Sequence, residues 1–308
     1  MSIARSLLLR ASRSTRVAEI FRRHAFARRA VRRFMPGEDA GAALDAAGSL
    51  AGSGLSAVIT ALGERVNSAA EVERVVADYL SLLDQIRSRA LPAHISVKLT
   101  HLGLDLDKEA CSRAVITLCA RAALTGSFVW IDIEESHYVD ATLDVFRRVR
   151  GQYPGVGVCL QAYLKRTPAD LASLLPLRPA IRLVKGAYQE PPDVAFAQKS
   201  DTDAAYIELS TTLLRHVGEK GAFPVFGTHD LKIVGTIRDT ARTLGLGRGS
   251  YEIHMLYGIK SGEQIALAKD GVAVRVLISY GVNWFPWYMR RLAERPANVW
   301  FVLRNLVP

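Results

Sequence analysis

The residues able to do chemistry are spread along the chain at intervals instead of forming one motif. Lys98, Asp132, Gln161, Arg182, Lys185, Thr228, His229 and His254 each lie within or just past a short apolar run, and Arg290 and Arg291 come after the last one. Burying a charge without a partner is costly, so this recurrence is hard to explain as packing. Lys98 and Asp132 suit an ion pair, structural or functional. Arg182 lies inside an apolar run and needs several acceptors there. Lys185 could form a Schiff base, or contact a phosphate or a flavin. Gly186 and Ala187 behind it lack the bulk that would keep a ligand off the backbone. Thr228 and His229 suit a helix N-terminus, with or without a ligand. Arg290 and Arg291 follow Trp284, Phe285, Trp287 and Tyr288. Two adjacent guanidinium forks suit a carboxylate or a phosphate, although such pairs are also common as solvated charge. Asp132, Glu134 and Glu135 have no H-x-H or H-x-x-x-H companion to favour a metal, and no G-x-S-x-G elbow points to a serine hydrolase.

These residues are placed by a regular alternation. Strands are expected over Ser56–Leu62, Ile95–Leu99, Phe128–Ile133, Val156–Leu160, Ile181–Val184, around Val225–Phe226, Tyr251–Met255 and Ala273–Ile278. Between them the spacing predicts helices over Ala69–Arg89, Lys108–Leu124, Tyr138–Tyr153, Thr167–Leu175, Asp203–Lys220, Leu231–Leu244 and Gly262–Lys269, with a last one over Trp287–Arg295. Eight near-continuous apolar strands with short connections predict an α/β fold of the (β/α)8 TIM-type barrel class, here distorted and preceded by an N-terminal helical arm. An open doubly wound sheet is the rival, but no G-x-G-x-x-G turn follows the first strand. In a barrel the polar residues at the strand ends share one rim, where active sites form.

The 308 residues carry a formal charge of +10, very unevenly. Met1 to Arg33 hold ten arginines and one acid, a charge of +9, and the rest of the chain carries +1. The basicity belongs to an arm (residues 1–35) and not to the body (residues 36–308), so it is no argument for nucleic-acid binding. Leu7, Leu8, Val17, Ile20, Phe21 and Phe26 recur among the arginines at roughly helical spacing. That arm suits peripheral contact with an anionic membrane surface, or packing on the barrel bottom. Three cysteines without C-x-x-C spacing exclude a disulfide scaffold, and no apolar run is long enough to span a membrane. The apolar core Leu7–Leu9 is too short for a secretory signal. A cytoplasmic location is therefore expected, at the inner face of the membrane if the arm docks.

At these positions the sequence resembles the proline dehydrogenases of the monofunctional bacterial type. The motifs are S-V-K-L at Ser96 to Leu99, W-I-D-I-E at Trp130 to Glu134, L-Q-A-Y-L-K-R-T at Leu160 to Thr167 and R-L-V-K-G-A-Y at Arg182 to Tyr188. They continue with G-T-H-D at Gly227 to Asp230, M-L-Y-G-I at Met255 to Ile259 and Y-M-R-R-L-A-E-R-P-A-N at Tyr288 to Asn298. The resemblance implies non-covalent FAD and hydride transfer from the carbon beside the proline nitrogen to flavin N5. It implies 1-pyrroline-5-carboxylate as product and a membrane quinone as electron acceptor. By motif, Lys98 and Asp132 form the ion pair under the substrate, and Arg182 sits by flavin N5. Arg290 and Arg291 clamp the substrate carboxylate, and Tyr188 closes over the substrate. Ile133, Gln161, Lys185, Gly186, Ala187, Thr228 and His229 hold FAD. His254 stands where the family usually has a flavin-supporting glutamine. Leu256, Leu277 and Tyr280 complete the expected substrate pocket.

The last apolar strand departs from the family pattern. Leu277 replaces a tyrosine that packs on the substrate ring, and Ser279 replaces a proline. That change points to 4-hydroxyproline or another cyclic or secondary amine as an alternative substrate, unless Tyr280 fills the gap. Two other classes compete: a Schiff-base lyase or aldolase using Lys185 or Lys98, and a ligand-binding relative without activity.

Overall fold

In a computed structural model of the chain, the residues described are 31–218, 221–285 and 288–289. The strands are β1 (Ser56–Ala61), β2 (Ala93–Val97), β3 (Val129–Ile131), β4 (Val156–Gln161), β5 (Ala180–Val184), β6 (Phe223–Gly227), β7 (Glu252–Leu256) and β8 (Ala273–Tyr280). They pair in parallel, each with its neighbour in sequence, and β8 returns to β1 with Val58 opposite Leu277, closing the barrel. The helices are α1 (Ala40–Ala51), α2 (Ala69–Ser88), α3 (Lys108–Thr125), α4 (Val139–Arg150), α5 (Thr167–Leu174), α6 (Lys199–Leu214), α7 (Leu231–Thr243) and α8 (Ser261–Lys269).

Alternation along each strand sorts the barrel into two apolar regions. Ile95, Ile131, Val158, Leu183 and Ile253 face outward into one continuous core beneath the helices. Val58, Trp130, Ala180 and Val225 face inward and, with Phe128, Phe223 and Leu277, form the lumen cluster. Inward positions above and below that cluster are polar, and this is what the site is built from. On β3 the order toward the C-terminal rim is Phe128, Trp130, Asp132; on β7 it is Glu252, His254, Leu256.

Besides shifts of a few residues at element ends, two differences from expectation matter. The Gly/Ala-rich stretch before β1 contains α1, which the sequence pattern did not show. Asp39 caps it by accepting from Ala42 N at 2.8 Å, and Ala43, Leu44 and Ala47 are buried. Helix α6 runs Lys199–Leu214 and not Asp203–Lys220, since the chain turns at His216, whose carbonyl accepts from Ala222 N at 2.9 Å. Glu219, Lys220 and most of the expected helix from Trp287 lie outside the described residues, as does the arm up to Ala30.

One helix residue directly supports the site. Tyr79 of α2 inserts its hydroxyl between β1 and β2, accepting from Ala61 N at 3.1 Å and donating to Ser96 O at 2.9 Å. The ring is fully buried. These bonds, worth about 1 kcal/mol each, fix the backbone of a residue that holds the central ion pair.

Candidate active site

Ser96, Asp132, Cys159 and Arg182 project inward from β2, β3, β4 and β5 and meet at one point. Ser96 Oγ donates to Asp132 Oδ1 at 2.9 Å. Arg182 Nη2 donates to the same carboxylate oxygen and to Ser96 Oγ, the latter at 2.8 Å, while its Nε donates to Cys159 Sγ at 2.8 Å. Lys98 Nζ lies 3.5 Å from Asp132 Oδ2. The Arg182 guanidinium carbon sits 5.1 Å from the centre of the Trp130 ring, a cation–π contact in a dry setting.

The electrostatics keep all three charges. Burial opposes ionisation of Asp132, but Arg182, Lys98, Ser96 and Cys159 together outweigh it and hold the carboxyl below its ordinary range. Burial likewise opposes the Lys98 ammonium, yet the carboxylates of Asp132, Glu64 and Glu134 hold it above its usual value. Burial pushes the Cys159 thiol up to about 12, so Cys159 serves as a neutral acceptor and not as a thiolate. Arg182 Nη1 is buried with no hydrogen-bond partner among the described residues.

Above this floor a cavity of about 1130 Å³ opens at the C-terminal rim. Among the expected residues, Lys98, Asp132, Ile133, Gln161, Arg182, Lys185, Gly186, Ala187, Tyr188, Thr228, His229, His254, Leu256 and Leu277 all line it. Tyr280 does not. It lies three residues beyond Leu277, hence on the opposite face of β8, and joins the outer core near Asp78 and Tyr79 of α2. It does not fill the space left by Leu277. Arg290 and Arg291 lie outside the described residues.

Several partners have local causes. Gly186 has φ +118, and a Cβ there would come within 2.1 Å of the Tyr163 ring, so the backbone after β5 can take this path only without a side chain. Lys185 Nζ is held by Asp203 Oδ1 at 2.5 Å and Asp230 Oδ2 at 3.2 Å. Gln161 Nε2 donates to Glu134 O at 2.8 Å. His229 Nε2 accepts from Leu256 N at 2.8 Å, which ties the loop after β6 to the end of β7. Asp230 caps α7, accepting from Lys232 N at 3.2 Å. The three carboxylates considered for a metal do not converge: Glu134 turns to Thr100 and Glu135 to Arg65.

Sequence reasoning missed Ser96, Cys159, Glu252 and Arg275. Each had a signal in its strand's period of two: Ser96 lies two before Lys98, Cys159 two before Gln161 and Glu252 two before His254. Arg275 sits in an apolar strand much as Arg182 does.

A closed parallel barrel with a charged floor and a deep rim cavity defines a (β/α)8-barrel enzyme. The proline dehydrogenase family matches residues 43–304. The chain is 36% identical over 270 residues to proline dehydrogenase 2 of Bacillus subtilis (strain 168), covering 88% of each. It is 34% identical over 280 residues to the proline dehydrogenase of Deinococcus radiodurans, covering 89% of each. Among solved structures, a mutant proline utilization A (PutA) of Bradyrhizobium japonicum superposes with a TM-score of 0.74 at 26% identity. That match covers 88% of this chain and 31% of the other, so the chain spans about a third of that larger protein. The chain belongs to the proline dehydrogenase family.

Proposed function

We propose that the chain oxidises L-proline to 1-pyrroline-5-carboxylate with non-covalent FAD as cofactor. The observation that carries this reading is the Lys98–Asp132–Arg182 cluster on the floor of a cavity whose wall is opened by Gly186. The volume supports it as well. About 1130 Å³ exceeds the roughly 300–1,000 Å³ of an ordinary small-ligand pocket, so a dinucleotide and a small amino acid fit together. The buried Nη1 of Arg182, lacking a partner among the described residues, suits an acceptor atom on the cofactor.

Bound FAD supplies a two-electron acceptor that no side chain can provide. Gln161, Lys185, Gly186, Ala187, Thr228 and His229 would hold it, with Ile133 against it. Lys98 and Asp132 seat the substrate, and Arg290 and Arg291 take its carboxylate. Tyr188, Leu256 and Leu277 shape the space around the ring. Orientation of this kind is worth several kcal/mol of barrier. The amine must lose its ammonium proton before its neighbouring C–H can be oxidised. The Lys98 and Arg182 cations favour that loss by lowering the amine's pKa. Both lysines considered for a Schiff base, Lys98 and Lys185, are instead paired with carboxylates, and Lys98 is held above its usual range by Asp132.

A second reading rests on Leu277. It lines the cavity where the family has tyrosine, and Tyr280 faces away, so a larger or substituted ring such as 4-hydroxyproline, or another cyclic or secondary amine, is admitted. We take residues 36–308 as one catalytic unit. A membrane quinone is the proposed electron acceptor, reached by peripheral docking of the basic arm. Among the described residues no helix is long and apolar enough to cross a membrane.

The experiment is anaerobic mixing of the purified yellow protein with proline, 4-hydroxyproline, pipecolate and small secondary amines. Bleaching of the flavin by proline is expected. A protein without flavin, or one that no amine bleaches, would overturn the proposal, and stronger bleaching by a substituted ring would favour the second reading.

A further inference from the structure

His254 is buried, lines the cavity from β7, and carries an Nδ1 with no hydrogen-bond partner among the described residues. Its other nitrogen is firmly engaged. Nε2 lies 2.9 Å from Glu252 Oε2. Glu252 is gripped in turn by Arg275, with Nη2 to Oε1 at 2.9 Å and Nε to Oε2 at 3.0 Å. Arg275 Nη1 reaches further to the carbonyls of Pro92 and Ala57, at 3.3 and 3.4 Å. The His254 ring stands edge-on to Trp130, with centroids 5.7 Å apart.

This chain of contacts determines the tautomer. Burial opposes ionisation of Glu252, but His254 and Arg275 outweigh it and hold the carboxyl well below its usual range. A carboxylate can only accept, so the imidazole proton sits on Nε2. Burial pushes His254 down to about 4, which leaves the ring neutral near pH 7. Nδ1 is then a bare lone pair in a water-poor wall, oriented by the residues beneath it.

We propose that His254 is a ligand-positioning residue. Its Nδ1 accepts a hydrogen bond from an N–H donor of the molecule that fills the cavity, and Glu252 with Arg275 holds the acceptor tautomer. The inference rests on the proposed reaction, whose two ligands, the flavin ring and the cyclic amine, both carry such a donor.

The test reads two dissociation constants on the flavin-loaded protein: FAD, by recovery of flavin fluorescence, and a cyclic amino carboxylate, by change in the flavin spectrum. His254→Gln places an amide donor toward Glu252 and an acceptor oxygen toward the ligand. It is expected to keep both constants within about threefold of wild type. His254→Phe removes the acceptor and is expected to weaken at least one ligand by about tenfold. Should that variant not fold, His254→Met carries the same expectation. Glu252→Gln offers one acceptor where His254 and Arg275 need two. It weakens the same ligand in the His254 background and has no further effect in the His254→Phe background, where no acceptor is left to orient. The ligand that responds identifies the donor. Wild-type binding of both ligands by the apolar variants overturns the proposal. So does an equal cost of Glu252→Gln in both backgrounds, the mark of a merely structural pair. A protein that is bleached by proline yet gives either of those results sinks this inference alone.

Discussion

Asp132 and Arg182 face each other across β3 and β5 with one carboxylate oxygen against Nη2, while Nη1 has no partner among the described residues. The pair is complete as an ion pair and incomplete as a hydrogen-bond set. Replacing Asp132 with Asn leaves Lys98 and Arg182 unneutralised in a buried setting, which costs about 3–5 kcal/mol. We expect kcat/KM to fall by roughly two to three orders of magnitude, with a lower melting temperature. Steady-state kinetics and thermal unfolding check it, and near wild-type kinetics would remove Asp132 from the site.

Gly186→Ala should cost the cofactor. The φ of +118 disfavours any side chain, and the new methyl would collide with the Tyr163 ring 2.1 Å away. Purified Gly186→Ala protein is expected to show at least tenfold weaker FAD binding, about 1.4 kcal/mol. The measure is the ratio of visible flavin absorbance to protein absorbance.

Leu277→Tyr tests the substrate question. A phenol inward on β8 refills space that Tyr280 cannot reach. If a substituted ring uses that space, the preference for proline over 4-hydroxyproline should rise by about tenfold or more, the scale of one or two buried groups. An unchanged ratio would show that Leu277 does not set specificity.

Glu134 makes stability depend on pH. Its carboxyl is buried and accepts from Thr100 N at 3.1 Å and Thr100 Oγ at 2.6 Å, and burial pushes it up to about 7. The folded chain thus binds a proton that the unfolded chain releases near 4.5. The associated stability is fully present below the unfolded value and is lost as pH rises through about 7, a contribution on the order of 3 kcal/mol. Melting temperatures of wild type should therefore decline from about pH 5 to 8 relative to Glu134→Gln. A parallel pair of curves would refute the assignment.

The arm is best tested by a truncation that stops at Ala30. Val31 and Met35 are buried, and Gly258 packs so closely that a Cβ there would lie 1.6 Å from Arg33 O. Loss of residues 1–30 is expected to abolish binding to anionic vesicles at low salt, with wild-type binding itself lost at high salt. Unchanged vesicle binding would end the docking proposal.

Most of the barrel was legible because its strands are apolar runs of the right length separated by helical periodicity. Helix α1 was not, since an Ala/Gly-rich stretch carries little amphipathic contrast and its boundary depends on the Asp39 cap. Arg182 and His254 were legible because a polar group interrupts an apolar strand, although Glu252 and Arg275 do the same and were passed over. Cys159 and Ser96 escaped because a small neutral side chain at an inward position looks like any other, until a guanidinium is found to bond to it. Tyr280 was misplaced by nearness in sequence, although three steps along a strand reverse the face.

By itself the sequence determined the alternation of strands and helices from Ser56 onward and the family motifs at the rim. Each of these is written locally, in periods of two and of about four residues. Only the tertiary structure decided who meets whom. Barrel closure brings Ser96, Asp132, Cys159 and Arg182 to one point. The β7–β8 register sets Arg275 opposite His254 and within reach of Glu252. Those meetings span up to 86 residues for Arg182 and Ser96. They follow from strand register and the scarcity of buried polar partners, which no local pattern encodes.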